Sequence, residues 1–362
     1  MKYDYLIVGC GLFGTTFARL ATDAGKSCLV IDKRQHIAGN CYTENVDGIN
    51  VHKYGAHIFH TNNKKVWDFV NRFSEFNDFI NSPKAYSNGK LYSLPFNMNT
   101  FYELWGTLRP KAAKFILDQQ RYMGPVLNLE QQALSLVGND IYYKLIKDYT
   151  EKQWGKPATQ LPAFNIRRLP LRFTYDNNYF NDKYQGIPVG GYTKMFEKML
   201  EGIEVVLNTD YLSDREYFNN LAHKVVFTGP IDEFFNYEHG KLEYRSLKFE
   251  HQRLEEENYQ GNAVINYCDW SKEYTRILEH KHFERSNTDH TIITKEYPQA
   301  YEEGKIPYYP INDDVNQNLY SKYKDMSNEL TNFIFGGRLS EYKYMDMHVV
   351  IESAMNKTRK LF

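Results

Sequence analysis

The chain is expected to adopt an α/β fold in which a parallel-sheet nucleotide domain is interrupted by a helical bundle and an antiparallel sheet. Three observations predict this. A strand–glycine loop–helix–strand pattern opens the sequence, helical periodicity fills the region from about residue 64 to 149, and alternating aromatic-rich segments follow residue 170.

"YDYLIVGCGLFGTTFARLATDAGKSCLVID" is a βαβ unit in sequence form. Tyr5 to Val8 is a short apolar run, the signature of a strand buried on both faces. Phe17, Leu20, Ala21 and Ala24 recur at helical spacing, and Gly25 is placed to end that helix. Cys28 to Ile31 forms the second strand, with Asp32 at its tip. "KKVWDFVNRF", "NTFYELWG", "PKAAKFILDQQ" and "NDIYYKLIKDY" read as helices punctuated by Pro, Gly and Asn. "LRFTYD", "KLEYRSLKFEHQRLE", "NAVINYCDW" and "HTIITKEY" read as strands of an antiparallel sheet. "HKVVFTGPID" and "NFIFGGRLSEYKYMDMHVVIESAMNK" look like returns to the first domain: a buried strand, then a strand, a Gly-Gly turn and a last helix. The resulting division assigns 1–80, 190–240 and 318–362 to a discontinuous nucleotide domain. It assigns 81–165 to a helical domain with a mobile flap beginning near 154, and 166–189 with 241–317 to the sheet and substrate domain.

Among 362 residues the formal net charge is −1, so no global field attracts nucleic acid or a membrane, and any anion site must be local. The 30 tyrosines and 23 phenylalanines raise the aromatic share to 16%, and tyrosine's apolar ring with a polar tip suits a polar ligand with flat parts. Cys10, Cys28, Cys41 and Cys268 form no CxxC pair, and no His/Cys cluster has zinc spacing, so neither a disulfide frame nor a metal is expected. No run approaches the roughly 18 apolar residues of a membrane span, and Met1 leads straight into a strand pattern without a basic or apolar leader. A cytoplasmic protein is expected.

Gly9, Gly11 and Gly14 form GxGxxG between a strand and a helix. The first glycine permits the tight turn, the second lets backbone approach a pyrophosphate, and the third allows close helix–strand packing. Asp32 is positioned for the ribose hydroxyls of an adenosine half. Together these define a Rossmann-like dinucleotide site, with Phe13 and Lys33 beside it. "KRQHIAGNCYT" follows, where the Gly39–Asn40 turn can bring backbone against an extended cofactor. The late "FGGRLSEYKYMDMHVVIESA", containing Gly337, Arg338 and Met347, resembles the strand–turn–helix with which FAD proteins hold the flavin end. The pairing of both glycine elements favours FAD over NAD, although Gly336–Gly337 alone could be a simple turn.

At "HKYGAHIFHTNN", "YTEKQWG", "RRLPLRFTYDNNYFNDKYQGIPVGGY" and "GRLSEYKYMDMHV" the sequence closely resembles the bacterial UDP-galactopyranose mutases, collinearly over nearly the whole chain. The resemblance implies an isomerase that interconverts UDP-galactopyranose and UDP-galactofuranose without net redox change and supplies galactofuranose for surface glycans. It implies FAD in the reduced state, with flavin N5 as nucleophile at the anomeric carbon, and a homodimer with UDP-galactose as its small-molecule partner.

The resemblance also distributes roles. Tyr149 would stack on uracil, Trp154 would mark the flap hinge beside the sugar, and Arg168 on the flap with Arg276 on the sheet would hold the pyrophosphate. Tyr179, Tyr309 and Tyr344 would contact the diphosphate or sugar, with Asp346 near flavin and sugar, and Arg338 would reach phosphates. The loop Gly55–Ala56–His57 would pass the flavin N5, and His60 would lie near the sugar. Taken without the resemblance, Arg167–Arg168 could be a solvated pair, Arg276 could pair with a glutamate, and Trp154 could be a core residue at a helix end. Likewise, either histidine could be a packing residue. The rival enzyme class is an FAD-dependent oxidoreductase of the amine-oxidase type, which would need an electron acceptor and no paired phosphate-binding arginines. A third class is a flavin or nucleotide sensor without turnover.

Overall fold

The structure, a computed structural model, describes residues 1–166 and 171–362. Its centre is a five-stranded parallel sheet in the order Phe333–Phe335, Ala222–Phe227, Tyr3–Val8, Cys28–Ile31, Glu204–Val206. Alternation along the strands feeds two cores. Tyr5, Ile7, Cys28 and Val30 join one apolar cluster, whereas Leu6, Leu29 and Ile31 join the cluster on the opposite face. Helix Leu12–Asp23 and the last helix, Met347–Thr358, pack together, and both contribute side chains to the first of these clusters. The sheet therefore draws strands from residues 3–31, 204–227 and 333–335, as a domain built from separated segments requires.

The inserted helices are Met98–Trp105, Pro110–Gln120, Leu129–Ile141 and Lys147–Trp154, with a single π-helical turn at Tyr142–Ile146 before the last. Their ends follow local chemistry. Asn97 accepts from Asn99 and Thr100 N–H in a capping box, Asn128 caps the third helix, and Pro110 occupies a first-turn position. Gly155 closes the last helix in the left-handed conformation, φ 67°. A separate core of Phe101, Leu117, Val137, Ile141 and Tyr142 holds these helices together.

The second sheet has seven strands in the order Tyr309–Pro310, Tyr244–Leu254, Thr291–Ala300, Arg276–Glu279, Val264–Tyr267, Lys84–Ser87, Lys90–Ser93. Two elements differ from the sequence expectation. The hairpin Lys84–Ser93 lies in a stretch read as helical, and it extends the second sheet by pairing Lys84–Ser87 parallel to Val264–Tyr267. Its Asn88–Gly89 turn, with φ of 50° and 79°, is the conformation that joins tight hairpins. In contrast, "LRFTYD" makes no strand beyond an isolated bridge from Leu171 to Phe96. There the Arg172 guanidinium donates to the carbonyls of Asn178 and Phe180, curling the chain back on itself instead of leaving it extended.

Glu279 is fully buried at the end of its strand. Its oxygens accept from Tyr259 N–H, Gln260 N–H and Thr291 Oγ1 at 2.8–2.9 Å, and His282 Nε2 lies 3.1 Å away. Burial works against the charge, but His282 and these hydrogen bonds outweigh it and hold the carboxyl at about 2. A depressed acid stabilises the fold above its unfolded value and loses that contribution as pH falls toward the folded one. The contribution is about 3 kcal/mol, lost between roughly pH 4.5 and 2. Glu279→Gln should lower the unfolding midpoint at neutral pH and flatten its decline in that acid window, as read by thermal melts at stepped pH.

Candidate active site

One continuous cavity of about 870 Å³ runs from the glycine loop to the seven-stranded sheet. At its first end, a Cβ on Gly14 would fall 2.0 Å from the Gly9 carbonyl, so only glycine lets this helix sit so close to its strand. A Cβ on Gly11 would meet nothing within 4 Å; the backbone there borders open cavity, which leaves room for a pyrophosphate. Asp32 accepts from Cys10 N–H at 2.7 Å and Arg34 N–H at 2.9 Å, bracing the loop while retaining lone pairs for ribose hydroxyls. Arg34, which the sequence reading did not single out, donates from Nη2 to Asn40 Oδ1 at 2.9 Å. Its Nη1 is buried with no partner among the described residues. A cradle without side chains beside an orphaned guanidinium nitrogen fits a dinucleotide's phosphates. Phe13, Lys33, Gly39, Gly337, Arg338 and Met347 line the same end.

The loop Gly55–Ala56–His57 forms the middle of the wall. His57 Nδ1–H donates to the Gly55 carbonyl at 2.8 Å, and the His57 backbone N–H donates to His52 Nδ1 at 3.1 Å. His52 N–H donates to His280 Nδ1 at 3.2 Å, His280 Nε2 reaches Thr294 Oγ1 at 2.6 Å, and that hydroxyl meets His251 Nδ1 at 2.7 Å. Each backbone donor dictates which ring nitrogen accepts, so the tautomers of His52 and His280 are set. Burial pushes His57 down to about 4 and His52 to about 3, and holds His280 well below the ordinary imidazole value. These imidazoles are neutral at pH 7 and act as a brace behind the loop. His60 lies further along the wall, against Asp182.

At the far end, Arg276 Nη2–H donates to Tyr149 Oη at 3.0 Å, and Arg276 Nε lies 3.5 Å from Glu296 Oε1 without forming a hydrogen bond. The pairing of Arg276 with a glutamate and its place in the cavity wall therefore hold together. Burial opposes the guanidinium charge, but Glu296 and the phenols of Tyr149 and Tyr309 outweigh this and raise its pKa well above the ordinary value. Burial also raises Tyr179 and Tyr309 and lifts Tyr149 to about 12; Tyr344, half exposed at the rim, is raised by partial desolvation with Asp346 and Tyr309 beside it. All four phenols thus stay protonated and can donate. Tyr309 and Tyr344 stand with ring centroids 5.9 Å apart, and Asp346 completes this wall.

One expected residue falls elsewhere, and one lies outside the described residues. Among the described residues Trp154 packs against the helical core and does not line the cavity, the placement that the helix-end alternative describes. The reason is angular: it lies five residues after Tyr149, about 140° around the helix. Arg168 lies outside the described residues. Sequence reasoning also missed Lys152, although it sits within "YTEKQWG". Its ammonium is buried and donates to the carbonyls of Tyr267, Asp269, Lys272 and Tyr274 at 2.7–3.3 Å. Arg245 Nε–H donates to the Gln153 carbonyl at 2.9 Å. Together these cations tie the helix that carries Tyr149 to the sheet that carries Arg276. Glu296 was missed as well; its parity with Ile292 and Thr294 along an otherwise buried strand face was the available signal.

These features define a class: a dinucleotide-binding α/β protein whose inserted helices and second sheet wall a ligand cavity over the nucleotide loop. Comparison with known proteins narrows it. The UDP-galactopyranose mutase profile matches residues 144–344, and an NAD(P)-binding Rossmann-like domain profile matches residues 7–73. A probable UDP-galactopyranose mutase of Klebsiella pneumoniae is 40% identical, over 97% of this chain and 93% of that protein. A dTDP-fucopyranose mutase of Escherichia coli is 39% identical, over 97% and 96%. Among solved structures, a reduced UDP-galactopyranose mutase shares the fold with a TM-score of 0.74 at 14% identity, covering 100% of this chain and 95% of that one. A putrescine oxidase shares it with a TM-score of 0.59 at 13% identity, over 100% and 99%. The chain belongs to the UDP-galactopyranose mutase family.

Lys152→Met leaves four carbonyls without their shared donor. It should cost about 3 kcal/mol or more, read as a lower unfolding midpoint. Lys152→Arg should recover little, because a planar fork cannot occupy a cage shaped around a compact ammonium.

Proposed function

We propose that this protein is a UDP-galactopyranose mutase working with FAD in the reduced state. The observation that carries the proposal is the single cavity, with a phosphate cradle and unpartnered Arg34 nitrogen at one end and the buried Arg276 set at the other. Gly9, Gly11, Phe13, Gly14, Asp32, Lys33, Arg34, Gly39 and Asn40 would hold the dinucleotide part. His57, Gly337, Arg338, Tyr344, Asp346 and Met347 would border the flavin. Reduced FAD, when bound, supplies an electron-rich ring nitrogen as nucleophile toward the sugar's anomeric carbon.

The protein's own groups bind, orient and neutralise. Arg276, joined by Arg168, would bind the diphosphate and stabilise the charge gathering on the nucleotide as the anomeric bond breaks. The protonated phenols of Tyr179, Tyr309 and Tyr344 would donate to phosphate and sugar oxygens without adding charge. Tyr149, its hydroxyl tied to Arg276, would present its ring to the base. Holding the nucleotide in place keeps it at high effective concentration for the return step. We place this activity in the cytoplasm, in a homodimer, supplying galactofuranose for surface glycans.

Anaerobic, dithionite-reduced protein should convert UDP-galactofuranose to UDP-galactopyranose, and the reverse to a small extent, with no consumption of electrons; chromatography of the nucleotide sugars reads both. Oxidised protein should be inactive. Arg276→Ala should retain flavin absorbance and lose tenfold to a hundredfold or more of turnover, the loss expected of a charge-assisted bond worth roughly 1.5–3 kcal/mol. dTDP-fucose is the parallel substrate: turnover of it alone keeps the mutase reading and overturns the choice of galactose. Turnover of neither sugar, with electrons passed to oxygen, overturns the mutase reading itself.

A further inference from the structure

His60 stands in the cavity wall with one ring nitrogen already committed. Its ring stacks on Phe180, centroids 3.8 Å apart and planes 12° from parallel. Nδ1 lies 2.6 Å from Asp182 Oδ2, and the two side chains are 15% and 21% exposed. The other Asp182 oxygen accepts from Asn62 Nδ2 at 2.5 Å, and Asn62 Oδ1 accepts from Lys183 N–H at 2.9 Å. Backbone pairing fixes this arrangement, because strand Phe59–Thr61 runs antiparallel to Tyr184–Gly186 with His60 opposite Gln185. Asn62, itself held by the Lys183 backbone, thus fixes the carboxylate on the side away from the oxygen that meets the imidazole.

A carboxylate only accepts, so Nδ1 carries the proton and Nε2 keeps its lone pair. Among the described residues Nε2 has no hydrogen-bond partner. Asp346 and His348, at the start of the last helix, are the other titratable groups facing His60, and the donor atoms of the three lie within 4.8 Å of one another. Glu352, one turn further on, acts on His348. The charged neighbours from both elements packed against His60 are therefore Asp182, Asp346 and this histidine–glutamate pair.

We propose that Asp182 is a positioning residue for His60, holding the Nδ1–H tautomer so that Nε2 can exchange a proton with the sugar. The inference rests on the mutase reading of the cavity. Turning a pyranose into a furanose breaks the bond from the anomeric carbon to O5 and forms one to O4. O4 must lose a proton and O5 must gain one. A single imidazole can do both: the O4–H bond breaks as Nε2–H forms, and the same proton then passes to O5, so none is consumed. While Nε2 holds it, the imidazolium faces the Asp182 carboxylate, which stabilises that charge.

Nitrogen-15 NMR of histidine-labelled holoenzyme, assigned with a His60→Gln control, reads the tautomer directly. Wild type should show His60 protonated at Nδ1. Asp182→Asn should keep that tautomer, because an amide oxygen still accepts, while Asp182→Ala should lose it. In turnover, Asp182→Asn should reduce kcat about tenfold or more with KM within about twofold. The acidic limb of its kcat/KM profile should move about one unit to lower pH, since the imidazolium has lost its counter-charge. Asp182→Glu should restore part of the rate, and unfolding midpoints with bound-flavin absorbance should show that each variant folds. Protonation at Nε2 in wild type overturns the proposal, as does an Asp182→Asn profile superimposable on wild type. If wild type turns over no nucleotide sugar, the mutase reading fails, while the tautomer signals still decide whether Asp182 sets His60.

Discussion

A half-buried guanidinium in a cavity wall, its Nε left without a hydrogen bond, is the constraint around which this structure is arranged. Removing an ion from water costs several kcal/mol, even after the protein relaxes. Arg276 meets that cost with Glu296, its partner in strand register, and with Tyr149 Oη across the cavity. Yet Nε makes no hydrogen bond, and the carboxylate stays 3.5 Å away. Arg34 repeats the pattern at the opposite end, with one nitrogen bound to Asn40 and another orphaned. Two half-buried cations, each with a buried nitrogen lacking a partner among the described residues and both in the wall of one cavity, describe a site built for an anionic ligand at each end.

This constraint explains why the helix bearing Tyr149 is fastened so heavily. If that helix moved from the sheet, Arg276 would lose its phenolic partner and the cavity its far wall. Lys152 and Arg245 prevent this with cations bonded to backbone carbonyls, which need no carboxylate and so leave the cavity's charge balance alone. This anchored helix ends at Gly155, whose left-handed turn closes the pinned segment.

Much of the first domain was legible because its signals are local. The glycine spacing, the apolar strands and the acidic residue at a strand tip are each set within a few residues, and the structure places them as the pattern implies. The motif residues of the far end were named through resemblance, and those among the described residues line the cavity, apart from Trp154. What stayed hidden depends on pairing between distant segments. Glu296 matters because a strand 20 residues earlier places Arg276 opposite it, and Asp182 because it meets an imidazole 122 residues away. The Lys84–Ser93 hairpin was a different kind of omission. Its Asn-Gly turn and alternation were present, but helical patterns on both sides masked a segment only ten residues long.

A reaction without net redox change must return every proton and charge it displaces, and the site is arranged to make that possible. The phenols are held protonated by burial, and the histidines behind the central loop are held neutral, so neither set gains or loses protons near pH 7. Arginine does not deprotonate under such conditions. Most of the polar lining can then orient and stabilise but cannot keep a proton. His60, the other imidazole lining the cavity, is tied at Nδ1 to Asp182, and its ligand-type atom lies within 4.8 Å of those of Asp346 and His348. A wall whose phenols and buried imidazoles keep fixed protonation states suits an isomerisation, which must return each proton, better than an oxidation, which must export electrons and protons together.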